Sequence, residues 1–172
     1  IAEKKYPVKK VIAASSQYVY GEGKYKCGAH GMVYPELRPV AQFEKRDWEV
    51  RCRECGEVME PLPELETDFL RPINPYTESK KSLENILFSL GRYLNIPSVA
   101  LRYCIVHGPR QSFKNFYSGA LRQFAVMALT SGTITMHEDG RQLRDFVHIK
   151  DVVSANLAVL KSPRADFQVF TV

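Results

Sequence analysis

The chain has 172 residues, of which 45% are hydrophobic and 25% charged, and its net charge is +5. That is enough for one domain with a sizeable core and excludes a disordered tail, and no apolar run approaches the roughly 20 residues of a membrane-spanning helix. Residues 101–172 carry nine Lys/Arg against five Asp/Glu, which suits either a solvated basic face or a pocket for an anionic ligand such as a diphosphate. No dense basic run or aromatic-interleaved basic strand supports nucleic-acid binding.

In chain order, residues 2–7 read as the end of a helix closed by Pro7. KKVIAAS reads as a short buried strand, an apolar run flanked by charge, and it feeds the glycine-containing turn SQYVYGEG. Residues 25–60 change character: Cys, Gly, Pro and charges are interspersed without helical periodicity. PLPELETDFLRPIN is a proline-rich connector. A helix follows, with Asn74 as N-cap, Pro75 at its first position and an apolar stripe of Leu83, Ile86, Leu87, Leu90 and Leu94. Asn95 and Pro97 end it, and SVALRYCIV reads as a second buried strand. After the loop HGPRQSFKN, residues 117–131 read as a helix, TITMHEDG and QLRDFVHI as short strands, 151–161 as a helix and DFQVFTV as a last strand. Buried strands alternating with helices predict a parallel α/β sheet, part of a doubly wound fold.

The interruption at 25–59 has its own chemistry. CGAHG and CRECGE place Cys27 with His30 and Cys52 with Cys55, two pairs of ligand spacing, with Gly28 or Gly31 and Gly56 available for the turns. Three thiolates and an imidazole form a closed tetrahedral set suited to structural zinc, with no position left for a reacting water. Without a signal-peptide pattern, reduced metal-binding thiols in a cytoplasmic protein are the better reading than disulfides. Cys104, within a predicted strand, reads as a core residue.

Three separated stretches complete the picture: SSQYVYG after a strand, YTESK opening a helix, and GRQLRDFVHIKDVV near the end. Together they resemble the extended short-chain dehydrogenase/reductase family, specifically its NAD-dependent nucleotide-sugar epimerases and dehydratases. VIAASSQYVYG is similar to that family's serine strand, NPYTESKK to its Tyr-x-x-x-Lys helix and ALRYCIVHGPRQ to the strand and loop after it. The inserted Cys/His segment resembles a subset of dTDP-L-rhamnose 4-epimerases. The resemblance implies a Rossmann-type core formed by residues 1–24 and 60–172, with the zinc-ribbon-like module at 25–59 inserted. It also implies Ser16, Tyr76 and Lys80 as catalytic residues, and Ser15, Tyr76, Lys80 and Tyr103 beside NAD. Arg110, Gln111, Asn115 and Arg144 would face a nucleotide-diphosphate sugar. A homodimer through the Tyr-x-x-x-Lys helix is implied as well.

The residues suit that chemistry. A phenol is a poor base near neutrality, and an ammonium one helical turn away stabilises its phenolate; Tyr76 and Lys80 share a face at i,i+4. Family dehydratases follow the catalytic Ser/Thr with Asp-Glu, where this chain has Gln17 and Tyr18, which cannot eliminate water. Ile105 stands where the family usually has Asn, and Cys104 where Phe is common. The glycine-rich dinucleotide turn has no counterpart after the first strand, since GEG at 21–23 is misplaced for it, and the chain opens on Ile1. Those features predict a longer parent with a further N-terminal half of roughly 100 residues. The expectation is therefore an epimerase acting at carbon 4. The alternatives are a net dehydrogenase or reductase of the same family, or a non-catalytic binding protein built around the zinc module.

Overall fold

The computed structural model describes residues 6–112, 119–130 and 132–172. In chain order the elements are β1 (Val11–Ser16), β2 (Lys24–Cys27), β3 (Gly31–Val33), α1 (Val40–Glu44), β4 (Glu60–Leu62) and α2 (Pro75–Tyr93). They continue with β5 (Ser98–Tyr103), β6 (Ile105–His107), α3 (Ala120–Thr130), β7 (Phe146–His148), α4 (Ile149–Lys161) and β8 (Val169–Thr171). The chain divides into two compact units, residues 1–17 with 82–172, and residues 18–81.

The first unit is built on the parallel sheet β1-β5-β8, with Val11 opposite Ser98 and Ser16 opposite Tyr103. Its strands are the apolar runs of the sequence, and parallel strands buried on both faces require such runs. Val99 and Leu101 on β5 pack with Val159 of α4 and Ala165, flanked by Ile12, Tyr103, Phe170 and Val172. Each fully buried Val or Leu contributes about 1.5–3 kcal/mol of hydrophobic stabilisation. Lys10 fastens the end of α4, donating to the carbonyls of Val159 and Ser162 at 2.9 Å each while pairing with Asp166. A cation there meets the negative end of the helix dipole.

One charged pair is buried in this apolar setting. Arg102 of β5 and Glu84 of α2 are each about 3% exposed and meet through two bonds, Nε to Oε1 at 3.0 Å and Nη2 to Oε2 at 2.8 Å. Ser15 of β1 donates to the same Glu84 Oε1 at 2.5 Å. The two-point geometry satisfies both charges, which makes a desolvated pair tolerable.

The helix buries Thr77, Glu84 and Gly91, whereas the predicted apolar stripe faces outward: Ile86 is 58% exposed and Leu90 51%. SVALRYCIV is two strands rather than one. Cys104 N still donates to Val172 in the first sheet, but Ile105 N donates to Asp145, so the chain leaves β5 and pairs β6 with β7. TITMHEDG forms no strand. Ile134 and Met136 are exposed, and Glu138 and Gly140 have positive φ in a turn. Tyr6 and Pro7 carry no helix, and residues 1–5 lie outside the described set. α4 starts earlier than its periodicity suggests because His148 caps it, its Nδ1 accepting from Lys150 N.

The second unit holds the antiparallel sheet β3-β2-β4, with Cys27 opposite Gly31 and Lys24 opposite Leu62. Its core is Cys27, Cys52 and Met59 with Tyr25, Val33 and Val50 around them. So small an apolar cluster is a weak basis for a fold. No helix among the described residues is long and apolar enough to cross a membrane.

Arg102→Met strands the Glu84 carboxylate. We expect it to lower unfolding stability by about 3–5 kcal/mol in urea titration, whereas Glu84→Leu with Arg102→Met should recover most of that loss.

Candidate functional site

In the second unit, Tyr76 and Lys80 sit on the opening turns of α2, whose start is fixed by a reciprocal cap. Asn74 Oδ1 accepts from Thr77 N at 2.9 Å, and Thr77 Oγ1 accepts from Ile73 N at 2.9 Å and Asn74 N at 3.1 Å. Thr77 is 1% exposed, so the cap is anchored, and such a cap is worth about 1 kcal/mol. Tyr76, between the two capping residues, is 47% exposed, and Lys80 Nζ lies 5.7 Å from its ring centroid. An ammonium on the face of a phenol, at the positive end of a helix, favours an anion there.

Ser15, Ser16 and Tyr103 belong to the first unit, at the C-terminal ends of neighbouring parallel strands, where ligands of open α/β sheets bind. Ser16 is buried and opposite Tyr103. Ser15 is engaged by Glu84, and the Tyr103 hydroxyl accepts from Asn156 Nδ2 at 2.7 Å. Arg110, at φ 71°, follows β6, whereas Arg144 precedes β7. Because β6 and β7 run parallel with Ile105 opposite Phe146, the backbone puts these two arginines at opposite ends of the small sheet. Arg144 is exposed and donates to its neighbour's carbonyl, Leu143 O, at 2.6 Å. Gln111 N donates to Gly108 O. Asn115 lies outside the described residues.

The Cys/His ligand pairs converge. The donor atoms of Cys27, His30, Cys52 and Cys55 all lie within 4.8 Å of one another and could hold a metal ion. Cys27 Sγ is 3.6 Å from Cys55 Sγ, and His30 Nδ1 is 3.5 Å from Cys27 Sγ and 3.4 Å from Cys52 Sγ. The turns rest on Gly31 at φ 70° and Gly56 at φ 73°, a region a Cβ disfavours. Burial pushes the Cys27 thiol up to about 11, and the backbone N–H of Cys55 draws Cys52 down to about 7. Cys104 is elsewhere, buried beside Asp145; burial pushes its thiol up to about 12, which fits a core residue.

Three residues of structural weight are not apparent from the motifs. Glu84 and Arg102 form the buried pair, and the signal for it was an arginine inside an otherwise apolar strand, which demands a buried partner. Glu57 accepts from the Cys27 thiol at 3.3 Å, and an acid two residues past a ligand cysteine carries no such signal.

A sequence model described as the NAD dependent epimerase/dehydratase family matches residues 52–172. The chain belongs to that family. It is 35% identical over 159 residues to a dTDP-L-rhamnose 4-epimerase of Burkholderia thailandensis, covering 92% of this chain and 42% of that protein. Among solved structures it resembles a UDP-glucose 4-epimerase of Thermotoga maritima with UDP-glucose, at TM-score 0.70 and 28% identity over 98% of this chain and 42% of that one. It also resembles a UDP-N-acetylglucosamine 4-epimerase of Methanobrevibacter ruminantium, at TM-score 0.69 and 27% identity over 99% of this chain and 43% of that one. The chain thus spans less than half the length of the relatives it matches.

Proposed function

We propose that this chain supplies the catalytic and sugar-facing part of an NAD-dependent nucleotide-sugar epimerase acting at carbon 4 of the hexose. The observation that carries this reading is the Tyr76–Lys80 couple, stacked at a capped helix start in a chain of this family. Relatives named as 4-epimerases of nucleotide sugars support the position of the reacting carbon.

The bound NAD would supply a hydride acceptor and donor, so that the carbon can be oxidised and then reduced from its other face without net redox change. Tyr76, as phenolate, takes the proton of the reacting hydroxyl and later returns it. Lys80 stabilises that phenolate and is also suited to the cofactor's ribose. Ser16, held at a strand end, hydrogen-bonds the hydroxyl oxygen and relays its proton. Ser15 and Tyr103 border the cofactor. Arg144, exposed and donating to the Leu143 carbonyl, suits the diphosphate through its forked guanidinium, with Arg110, Gln111 and Asn115 assigned to the sugar. Gln17 and Tyr18 offer no acid–base pair, which argues against water elimination.

The residues 25–59 form an inserted module closed by one structural zinc. Tetrahedral bonds of about 2.3 Å to sulfur and 2.0–2.1 Å to nitrogen separate two sulfurs by about 3.8 Å and sulfur from nitrogen by about 3.6 Å. The observed separations of 3.6, 3.5 and 3.4 Å fit that set. Reduced thiols of this kind favour the cytoplasm. The outward stripe of Leu83, Ile86 and Leu90 on α2 supports a homodimer through this helix.

In the full-length protein, Tyr76→Phe should lower nucleotide-sugar interconversion at least about 100-fold with an unchanged thermal midpoint. Full turnover in that variant would sink the reading, and stoichiometric NADH accumulation by the parent protein would replace epimerase with dehydrogenase. Elemental analysis should find about one zinc per chain, lost in Cys52→Ser, and chelation should open residues 25–59 to proteolysis. Ile86→Asp with Leu90→Asp should turn a dimer into a folded monomer in analytical ultracentrifugation.

A further inference from the structure

The second unit contains a buried charged cluster that neither the proposed chemistry nor the metal uses. Lys24 opens β2, three residues before Cys27, and is 6% exposed. Its ammonium meets Asp68 Oδ2 at 2.5 Å, and its backbone N–H donates to Glu64 Oε1 at 2.9 Å. Asp68 also accepts from Leu65 N at 2.7 Å and from the Tyr34 hydroxyl at 2.9 Å. The ammonium beside it holds the Asp68 carboxyl below its ordinary range. Asp68 therefore gathers a strand, the residue after β3 and its own turn onto one carboxylate.

The position of this cluster gives it a use. Residues 63–74 have no helix or strand, so side chains must fix their path. Glu64 and Asp68 tie the start of that segment to β2. Arg71 ties its end, with its backbone N–H donating to Val19 O at 3.0 Å and its Nη1 to Tyr34 O at 2.6 Å. Two residues later the Ile73 N–H reaches the Thr77 cap, and Tyr76 immediately precedes Thr77. At the other end of β2, about 10 Å away by strand rise, stands Cys27 of the ligand cluster. Metal, strand, ion pair, connector and helix start are thus consecutive links within one unit.

We infer that Lys24 and Asp68 are positioning residues that make the start of α2, and with it the Tyr76–Lys80 couple, depend on the metal-clamped sheet. The metal holds β2 in register with β3 and β4, and the Lys24–Asp68 pair passes that order to residues 64–73. The connector then presents Asn74 and Thr77 for capping. Loss of either the metal or the pair frees the connector and lets the first turn of α2 fray. The consequence for catalysis rests on the epimerase reading, whereas the structural coupling does not.

The test is amide hydrogen exchange followed by mass spectrometry on the full-length protein. Zinc-loaded wild type, the same protein after chelation, Lys24→Met and Asp68→Asn are compared. Chelation should raise exchange across residues 73–81 about tenfold as well as across 25–59. Lys24→Met should keep one zinc and wild-type protection at 50–59, yet show the same rise at 73–81. Asp68→Asn, which keeps a hydrogen-bonding group of the same shape, should give a smaller rise. Unchanged exchange at 73–81 in zinc-loaded Lys24→Met, or in chelated wild type, would overturn the coupling. If Lys24→Met does not fold, Asp68→Asn decides by the same criterion. With nucleotide sugar as substrate, zinc-loaded Lys24→Met should lose kcat with little change in KM. Coupled exchange in a protein without epimerase turnover would leave the coupling standing and remove the epimerase reading instead.

Discussion

The buried contact between Glu84 and Arg102 is the constraint on which the first unit depends. A helix can dock on a parallel sheet by apolar contact alone, but apolar contact is non-directional and tolerates sliding. A forked guanidinium on a carboxylate fixes rotation and height together. Here the carboxylate also takes the hydroxyl of Ser15, so one side chain sets β1, β5 and α2 against each other. Ser16, the next residue on β1, inherits its position from that arrangement. The cost is two desolvated charges, and the return is a defined strand end in the place where chemistry is proposed.

The second unit solves a different problem by different means. Its apolar cluster is small and two of the three buried members are cysteines. Four converging Cys/His side chains that could hold a metal ion and a largely buried lysine–aspartate pair stand where a larger core would be. The two units are thus held by unlike forces: the strand end at Ser16 by sheet packing and one ion pair, and the helix start at Tyr76 and Lys80 by a local cap approached through polar side chains.

Much of this was legible in the sequence because the signals are local. Asn74 and Pro75 mark the helix start, since capping involves residues three apart. The paired Cys/His spacings mark the ligand cluster, and the apolar runs mark β1 and β5. What failed was whatever depends on distant partners. TITMHEDG alternates like a strand but meets no sheet edge among the described residues. SVALRYCIV looks continuous, yet Cys104 and Ile105 bond to different neighbours, Val172 and Asp145. The leucine stripe of α2 shows amphipathic character but not which face is covered; Thr77, Glu84 and Gly91 form the buried side, and Glu84 there meets Arg102 of β5. Roles for Arg110, Gln111, Asn115 and Arg144 rest on family resemblance, and the backbone alone shows Arg110 and Arg144 at opposite ends of β6-β7.

The bond from Arg71 N to Val19 O has a consequence for how the chain reaches its fold. β1 and β5 are neighbours in the sheet, yet about 80 residues separate them, a long loop to close before their pairing is rewarded. If residues 18–81 condense first, that bond joins the two ends of the excursion and shortens the effective loop to about 30 residues. By the logarithmic dependence of closure entropy this saves about 1 kcal/mol. An excursion that looks like a burden on the pairing of β1 with β5 becomes, once folded, a shortcut to it.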